Sequence, residues 1–301
     1  MKWMDSMLNL IKLSSNPRPQ IHPYAMNHLL ASSSTAALQP VLFIPHGGGP
    51  CFFMDWSPAD TWTGMAGFLR GVSATLPARP QAIVLVSAHW LTAGFRVTSG
   101  AHPGLIYDYY GFPEHTYQLT YPAPGDTALA ERVAGLIAGA GLDSGLDGER
   151  GFDHGMFIPL KVMFPAVDIP VVQLSLRDDL DPAAHLALGQ ALSALRAEGV
   201  LIIGSGMSFH NMRGYGDARY TAPSQAFDDW LTAAVESEPG ERSAALRNWA
   251  RAPFAHDCHP AGHEEHLIPL MVAAGAAGHD LGRKVYSQEV MRTQVSAYRF
   301  G

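Results

Sequence analysis

The chain has 301 residues, 47% of them hydrophobic and 16% charged, with a formal net charge of −7 when histidine is neutral. That much apolar material supports a sizeable core and excludes a disordered chain. No block of Lys or Arg runs long enough to track a phosphate backbone, so no nucleic-acid partner is expected. Two cysteines, Cys51 and Cys258, exclude a disulfide framework and a cysteine-rich zinc module. No stretch approaches the roughly 20 apolar residues that span a bilayer, and residues 1–5, with an early acid, do not read as a signal peptide. The expectation is a cytoplasmic protein without a membrane partner, monomeric or homodimeric.

Residues 1–40 carry breaker-rich stretches, Ser14-Ser15-Asn16-Pro17-Arg18-Pro19 and Ala31-Ser32-Ser33-Ser34-Thr35, and no sustained period. They read as a poorly structured N-terminal extension with a helical turn at 7–13, ahead of a domain at 41–301. Met26 is a candidate start. The runs 41–44 and 83–87 are short, apolar and bounded by turn residues, which predicts buried strands. Helical spacing covers 61–76 between them. A strand is expected at 95–99. A helix is expected at 127–140, with Leu129, Val133, Leu136 and Ile137 on one face. A strand at 169–174 precedes a helix at 182–196 that has Pro182 in its first turn. A strand at 200–203 and helices at 224–235, 241–249 and 263–274 complete the series. Strands separated by helices predict an α/β fold, a single three-layer αβα domain around a mostly parallel or mixed sheet. Residues 101–126 resist this scheme. They hold Tyr107, Tyr109, Tyr110, Phe112, Tyr117 and Tyr121 among Pro and Gly, which predicts an ordered loop packed near the site.

Histidine placement carries the chemistry. His46 follows Val41-Leu42-Phe43-Ile44-Pro45, His89 follows Ile83-Val84-Leu85-Val86-Ser87-Ala88, and His210 follows Leu201-Ile202-Ile203-Gly204-Ser205-Gly206 by a few residues. Crevices at the carboxyl ends of such strands bind ligands, and imidazole is the commonest protein ligand of transition metals. His266 opens an apolar helical run within His263-Glu264-Glu265-His266. A lone histidine after a strand is usually a structural hydrogen-bonding residue. Four beside small residues, which let an ion or ligand approach the backbone, point to a shared metal centre. Gly47-Gly48-Gly49 lacks a Walker lysine and does not form G-x-G-x-x-G before a helix, so a nucleotide is not expected. His263 and His266 are spaced i and i+3, which fails H-E-x-x-H, although such a pair shares a helix face. Asp153 beside His154, in Gly151-Phe152-Asp153-His154-Gly155, orients a neighbouring group or serves a turn. Asn211 is placed to hold a ring or a substrate oxygen. Arg213 is the nearest fixed cation for a substrate carboxylate, against the plainer reading of an exposed arginine.

Seven segments in this order resemble the class III extradiol ring-opening dioxygenases, most nearly the DOPA-dioxygenase-type branch. They are Phe43-Ile44-Pro45-His46-Gly47, Ser87-Ala88-His89-Trp90, Tyr121-Pro122-Ala123-Pro124-Gly125, Gly151 to Gly155, Val171-Val172-Gln173-Leu174-Ser175, His210-Asn211 and Glu265-His266-Leu267-Ile268-Pro269-Leu270. The resemblance covers 41–280 and implies a mononuclear non-haem Fe(II) site that opens a catechol ring beside its hydroxyls with O2. It implies His46, His89 and His266 as metal ligands, His210 as the base for a catechol proton and His154 as a further acid/base. Tyr121, Asn211 and Arg213 are expected near the substrate. The wider superfamily has a glutamate as third ligand; here His266 occupies that register, with Glu265 or His263 as rivals. Three neutral imidazoles leave the site one negative charge short of a 2-His-1-carboxylate triad, which favours an anionic ligand and admits Zn(II) as bound metal. Two other readings stand beside this one, a zinc-dependent hydrolase using metal-bound hydroxide and a non-catalytic metal-binding homologue. DOPA, caffeate, protocatechuate and gallate all remain open as substrates.

Overall fold

The protein is described here from a computed structural model covering residues 37–301. Most of the expected N-terminal extension, with its helical turn at 7–13, therefore lies outside the described residues. In chain order the described residues form β1 (Val41–Pro45), α1 (Thr63–Val72), β2 (Ala82–Thr92), β3 (Phe95–Thr98), α2 (Thr127–Gly139), β4 (Ser144–Asp147), α3 (His154–Met163) and β5 (Val171–Arg177). There follow α4 (Pro182–Leu192), β6 (Val200–Gly206), α5 (Thr221–Glu236), α6 (Pro239–Arg247), α7 (Ala255–Cys258), α8 (Ile268–Ala276), β7 (Gly282–Val290) and β8 (Thr293–Phe300).

The strands make one mixed sheet in the order β4-β3-β5-β2-β6-β1-β8-β7. The central pairs β5–β2, β2–β6 and β6–β1 are parallel. The β7–β8 hairpin adds to β1 antiparallel, and β3 adds to β5 antiparallel. Every residue of β1 and β6 is buried, as parallel strands covered on both faces require. The expected α/β class and three-layer arrangement are what the chain adopts.

Two features of β6 set the layers. Ser205 points to the α3 face, where its hydroxyl donates to the Gly155 carbonyl. That carbonyl is freed because Pro159, four residues on, has no N–H to offer it. Gly204 and Gly206 point to the other face, where a Cβ would overlap the carbonyls of Pro269 and His266. The start of α8 thus lies against bare strand backbone, with α4 packed beside it. Buried Arg196 and Arg242 donate to the carbonyl of Ala276, the last residue of α8, and to those of Ala277, Gly278 and Asp280 beyond it, which places cations at the negative end of its dipole.

Several expectations change. The helix expected at 263–274 begins at Ile268, and 263–267 are turns closed by His263 N–H to Pro260 and Leu267 N–H to Glu264. His263 and His266 therefore share no helix face. Residues 151–155 lead into α3, a helix with no amphipathic period because eight of its ten residues are buried. The β7–β8 hairpin turns through Met291 and Arg292 at φ 46° and 68°, so the Asn-Gly or Asp-Gly signal of such turns is missing from the sequence. β2 runs on to Thr92 and carries His89 within it.

Candidate metal centre

Five histidines converge at the carboxyl ends of β1, β2 and β6. His46 directly follows β1, His89 is in β2, His154 opens α3, His210 follows β6, and His266 precedes α8. The rings of His46, His89 and His266 form a nearly equilateral triangle, with centroid separations of 4.9, 4.9 and 5.2 Å. His154 is 3.9 Å from His89 and 5.4 Å from His46. His210 stacks on His266 at 3.3 Å with the planes 13° apart. Two sets of ligand-type atoms lie within 4.8 Å of one another, His46–His89–His154 and His210–Glu265–His266.

The Nδ1 atoms of the triangle all face oxygens. His46 donates to the Gly47 carbonyl at 2.9 Å, His266 to Glu265 Oε1 at 3.0 Å, and His89 Nδ1 is 3.5 Å from Asp108 Oδ2. In His46 and His266 an oxygen that only accepts fixes the proton on Nδ1 and leaves the Nε2 lone pair for an ion, and the more distant Asp108 oxygen favours the same tautomer in His89. His46 and His89 Nε2 are 3.3 Å apart, and two nitrogens about 2.0–2.1 Å from one tetrahedral ion lie about 3.3 Å apart. His266 Nε2 is buried with no hydrogen-bond partner among the described residues, an orphaned lone pair that an ion would satisfy. Burial first, then the neighbouring imidazoles, hold His46 and His266 well below the usual histidine range; burial, His154 and His210 do the same for His89. All three are neutral bases at pH 7, the protonation state that ligation needs. The residues present fit a metal ion.

Behind the triangle lies a buried carboxyl. Asp153 accepts from Ser87 Oγ at 2.6 Å, from Gln173 Nε2 and from Arg150 at 3.3 Å. Ser87 Oγ in turn accepts the His89 backbone N–H at 3.1 Å. Burial pushes the Asp153 carboxyl up. Gly155 has no room for a side chain, since a Cβ there would meet Ser87 Oγ at 2.6 Å and His89 Cδ2 at 2.9 Å.

His210, Asn211, Arg213, His263 and Glu265 line a cavity of 520 Å³ beside the cluster. Asn211 bridges its wall, donating to the Asp257 carbonyl at 2.8 Å and accepting from Arg213 N at 3.0 Å. Arg213 is exposed on the rim and His263 is exposed outside the triangle. Glu265, a rival ligand on sequence grounds, turns a carboxylate oxygen to the back of His266. Tyr121 is not brought to the cavity: it is 1% exposed, with its hydroxyl 3.4 Å from the Phe164 carbonyl. Its ring belongs to the hydrophobic core. The aromatic loop is ordered around itself, Tyr107 donating to Leu119 and Tyr109 to Thr116, both at 2.7 Å. The Tyr109 ring meets His154 edge-on at 5.7 Å. Sequence reasoning missed Asp108 in this loop, whose Oδ1 accepts His154 Nδ1–H at 2.8 Å. Burial works against this carboxylate, but the bond and charge of His154 outweigh it and hold its pKa low. An acid among six aromatic residues, with Glu114 and Asp126 in the same loop, gives no signal until the loop is folded.

The family described as the catalytic LigB subunit of aromatic ring-opening dioxygenase matches residues 40–301, and the chain belongs to it. It is an extradiol ring-cleavage dioxygenase, acting on a small molecule and O2, and the hydrolase and non-catalytic readings fall away. Among its relatives is the dioxygenase tasH of Hapsidospora irregularis, 37% identical over 293 residues that cover 90% of this chain and 88% of that protein. The 4,5-DOPA dioxygenase extradiol of Beta vulgaris is 43% identical over 208 residues, covering 67% of this chain and 75% of its own. The crystal structure of an uncharacterized protein from Escherichia coli K12 superposes with a TM-score of 0.68 at 30% identity, covering 87% of this chain and all of that one. Among the described residues no helix is long and apolar enough to cross a membrane.

Proposed function

We propose that the chain is a non-haem Fe(II)-dependent dioxygenase that opens the ring of a DOPA-like or related substituted catechol, with the ion held by His46, His89 and His266. The observation that supports this most is the triangle of buried imidazoles with Nδ1 turned to oxygens and Nε2 left for an ion. The name of the Beta vulgaris relative supports the substrate class. Fe(II) held by His46, His89 and His266 would supply Lewis acidity toward a catechol oxygen and one-electron chemistry toward O2. Zn(II) suits the same nitrogens and is the expected competitor for the site.

The chain's own residues handle substrate and protons. His210 stands at the cavity wall with its pKa pushed down to about 4, by burial first and then by His154 and His263. It is neutral at pH 7 and accepts a catechol proton at its free ring nitrogen. His154 keeps its Nδ1–H on Asp108 and turns Nε2 toward the cluster, where it holds or returns a proton. Asn211 retains one N–H and one lone pair for a substrate oxygen. Arg213 pairs with a carboxylate on the catechol side chain. The packed aromatic loop keeps water from the His154 side. The catalytic domain is residues 41–301; a cytoplasmic setting is consistent with two free, buried cysteines, and the oligomer is a monomer or homodimer.

Anaerobic reconstitution with Fe(II), followed by O2 uptake and product absorbance across a catechol panel, tests the reading. Uptake with a yellow ring-cleavage product is expected. Iron-loaded protein that consumes no O2 with any catechol would defeat it.

A further inference from the structure

We infer that Asp108 is a positioning residue, a single carboxylate that sets the tautomers of both His89 and His154 and so joins ion retention to proton handling through the aromatic loop. The inference rests on the metal-centre reading for its consequence, though not for its geometry. Asp108 Oδ1 accepts two bonds from His154, the backbone N–H at 3.0 Å and Nδ1–H at 2.8 Å. Its Oδ2 is 3.5 Å from His89 Nδ1, an ion-pair approach longer than the bonds to His154, which sets an accepting oxygen on that side of the ring. The short bond holds His154 with Nδ1 protonated, and the nearby Oδ2 favours the same tautomer in His89. Without an acceptor at Nδ1, a neutral imidazole divides between tautomers, and the form protonated on Nε2 cannot ligate through it.

The loop is built to deliver this carboxylate. Leu105 bridges to Phe152, with Ile106 N–H donating to Phe152 at 2.8 Å and Phe152 N–H to Gly104 at 2.7 Å. That register lays residues 104–106 beside the strand-like residue two before His154. On the far side of Asp108, the Tyr109 hydroxyl on Thr116 and the Tyr109 contacts with Phe112 and Phe157 fix the chain. Asp108 is therefore pinned on both sides against the start of α3. A purely structural cap for α3 would need only the bond to the His154 backbone N–H. The second bond to the ring and the approach to His89 are what a cap does not require.

Asp108→Asn separates the two roles. The amide oxygen keeps the two bonds to His154 and still caps the helix, so the amide nitrogen takes the Oδ2 place beside His89. A donor there demands a lone pair on His89 Nδ1 and drives its proton to Nε2. Long-range proton–nitrogen correlation spectra of the metal-free full chain with labelled histidine read this directly. The wild type should show His89 and His154 protonated on Nδ1. Asp108→Asn should move the His89 proton to Nε2 and leave His154 unchanged, while Asp108→Ala should release both. Competition of Zn(II) between a chelator and each protein should show affinity in Asp108→Asn roughly 10–100-fold weaker than wild type, with an unchanged unfolding midpoint for the metal-free chain. A wild type already protonated on Nε2 of His89 overturns the inference, even if the variant does not fold. So does a folded Asp108→Asn with the wild-type His89 tautomer and wild-type Zn(II) affinity. A wild type that binds no metal overturns the proposed function instead, and the spectra then still decide the role of Asp108.

Discussion

At the level of single residues, the site is a matter of aiming lone pairs inside a crowded, buried space. His266 shows the energetics best, since its Nδ1 is bonded to Glu265 while its buried Nε2 has no partner among the described residues. An unsatisfied buried acceptor costs on the order of 1–3 kcal/mol, a penalty that a bound ion removes. His266→Ala is expected to abolish stoichiometric metal uptake, measured by elemental analysis after dialysis. His210→Gln is expected to keep the metal and lower kcat by about 10²–10⁴, the usual contribution of a positioned acid or base. Steady-state kinetics paired with metal analysis of the same sample check this. Loss of metal in His210→Gln would make His210 a ligand, a role its stacking on His266 at 3.3 Å brings within reach. The ligand candidates were legible as residues because each histidine follows a buried strand or opens an apolar run. Tyr121 is the contrasting case: its tyrosine-rich context resembles a binding loop, and only packing reveals that its ring is buried in the core.

At the level of elements, glycine in β6 determines where His266 can be. The His266 carbonyl accepts Met207 N–H at 2.9 Å across the strand end, and Gly206 leaves the space for that approach. Gly206→Ala should cost about 1–3 kcal/mol through overpacking and weaken metal binding, since the backbone carrying His266 must retreat. Urea unfolding and chelator competition measure the two effects. Gly67→Ala in α1 is the matched control: a Cβ there meets nothing within 4 Å, so a gain of about 0.4–1 kcal/mol and unchanged metal binding are expected. Alternating glycines in an apolar run do hint at close backbone approach. The partner that approaches, and the shift of the helix start from 263 to Ile268, followed from tertiary contacts. In α3 the lack of an apolar period concealed the helix, because burial on all sides removes the contrast that periodicity measures.

For the whole molecule, burial of so many neutral histidines couples stability to pH and to metal. His185 lies away from the cluster, accepting Arg177 N–H at 3.0 Å and donating to the Asp181 carbonyl at 2.7 Å. Burial pushes its pKa down to about 4, below the unfolded value of roughly 6.5. Between these values the unfolded chain binds the extra proton, so this contribution is complete above about pH 6.5 and is lost as pH falls toward 4. The loss amounts to about 3 kcal/mol for this one group. Urea unfolding at pH 7.5 and 5 should show a marked drop, and the drop should be smaller in His185→Gln. Metal acts in the opposite direction. Saturation at about 100 times Kd should add roughly 2.7 kcal/mol, reversed by chelator. A melting temperature indifferent to both metal and chelator would contradict an ion held in the folded core.

The class of fold, the central strands β1, β2, β5 and β6 with most of the helices between them, and the histidines that follow those strands are legible in the sequence alone; α3, β4 and the β7–β8 hairpin are not. Buried parallel strands are written as apolar runs, and their ends are marked by small residues. Local pattern carries that information because it concerns neighbours in the chain. Tertiary structure alone decided which nitrogen of each histidine is free, that Asp108 bridges His89 and His154, that Glu265 backs His266, and that Tyr121 belongs to the core. Those facts depend on directions between side chains brought together from distant elements, and direction in space is not encoded in any short stretch of residues.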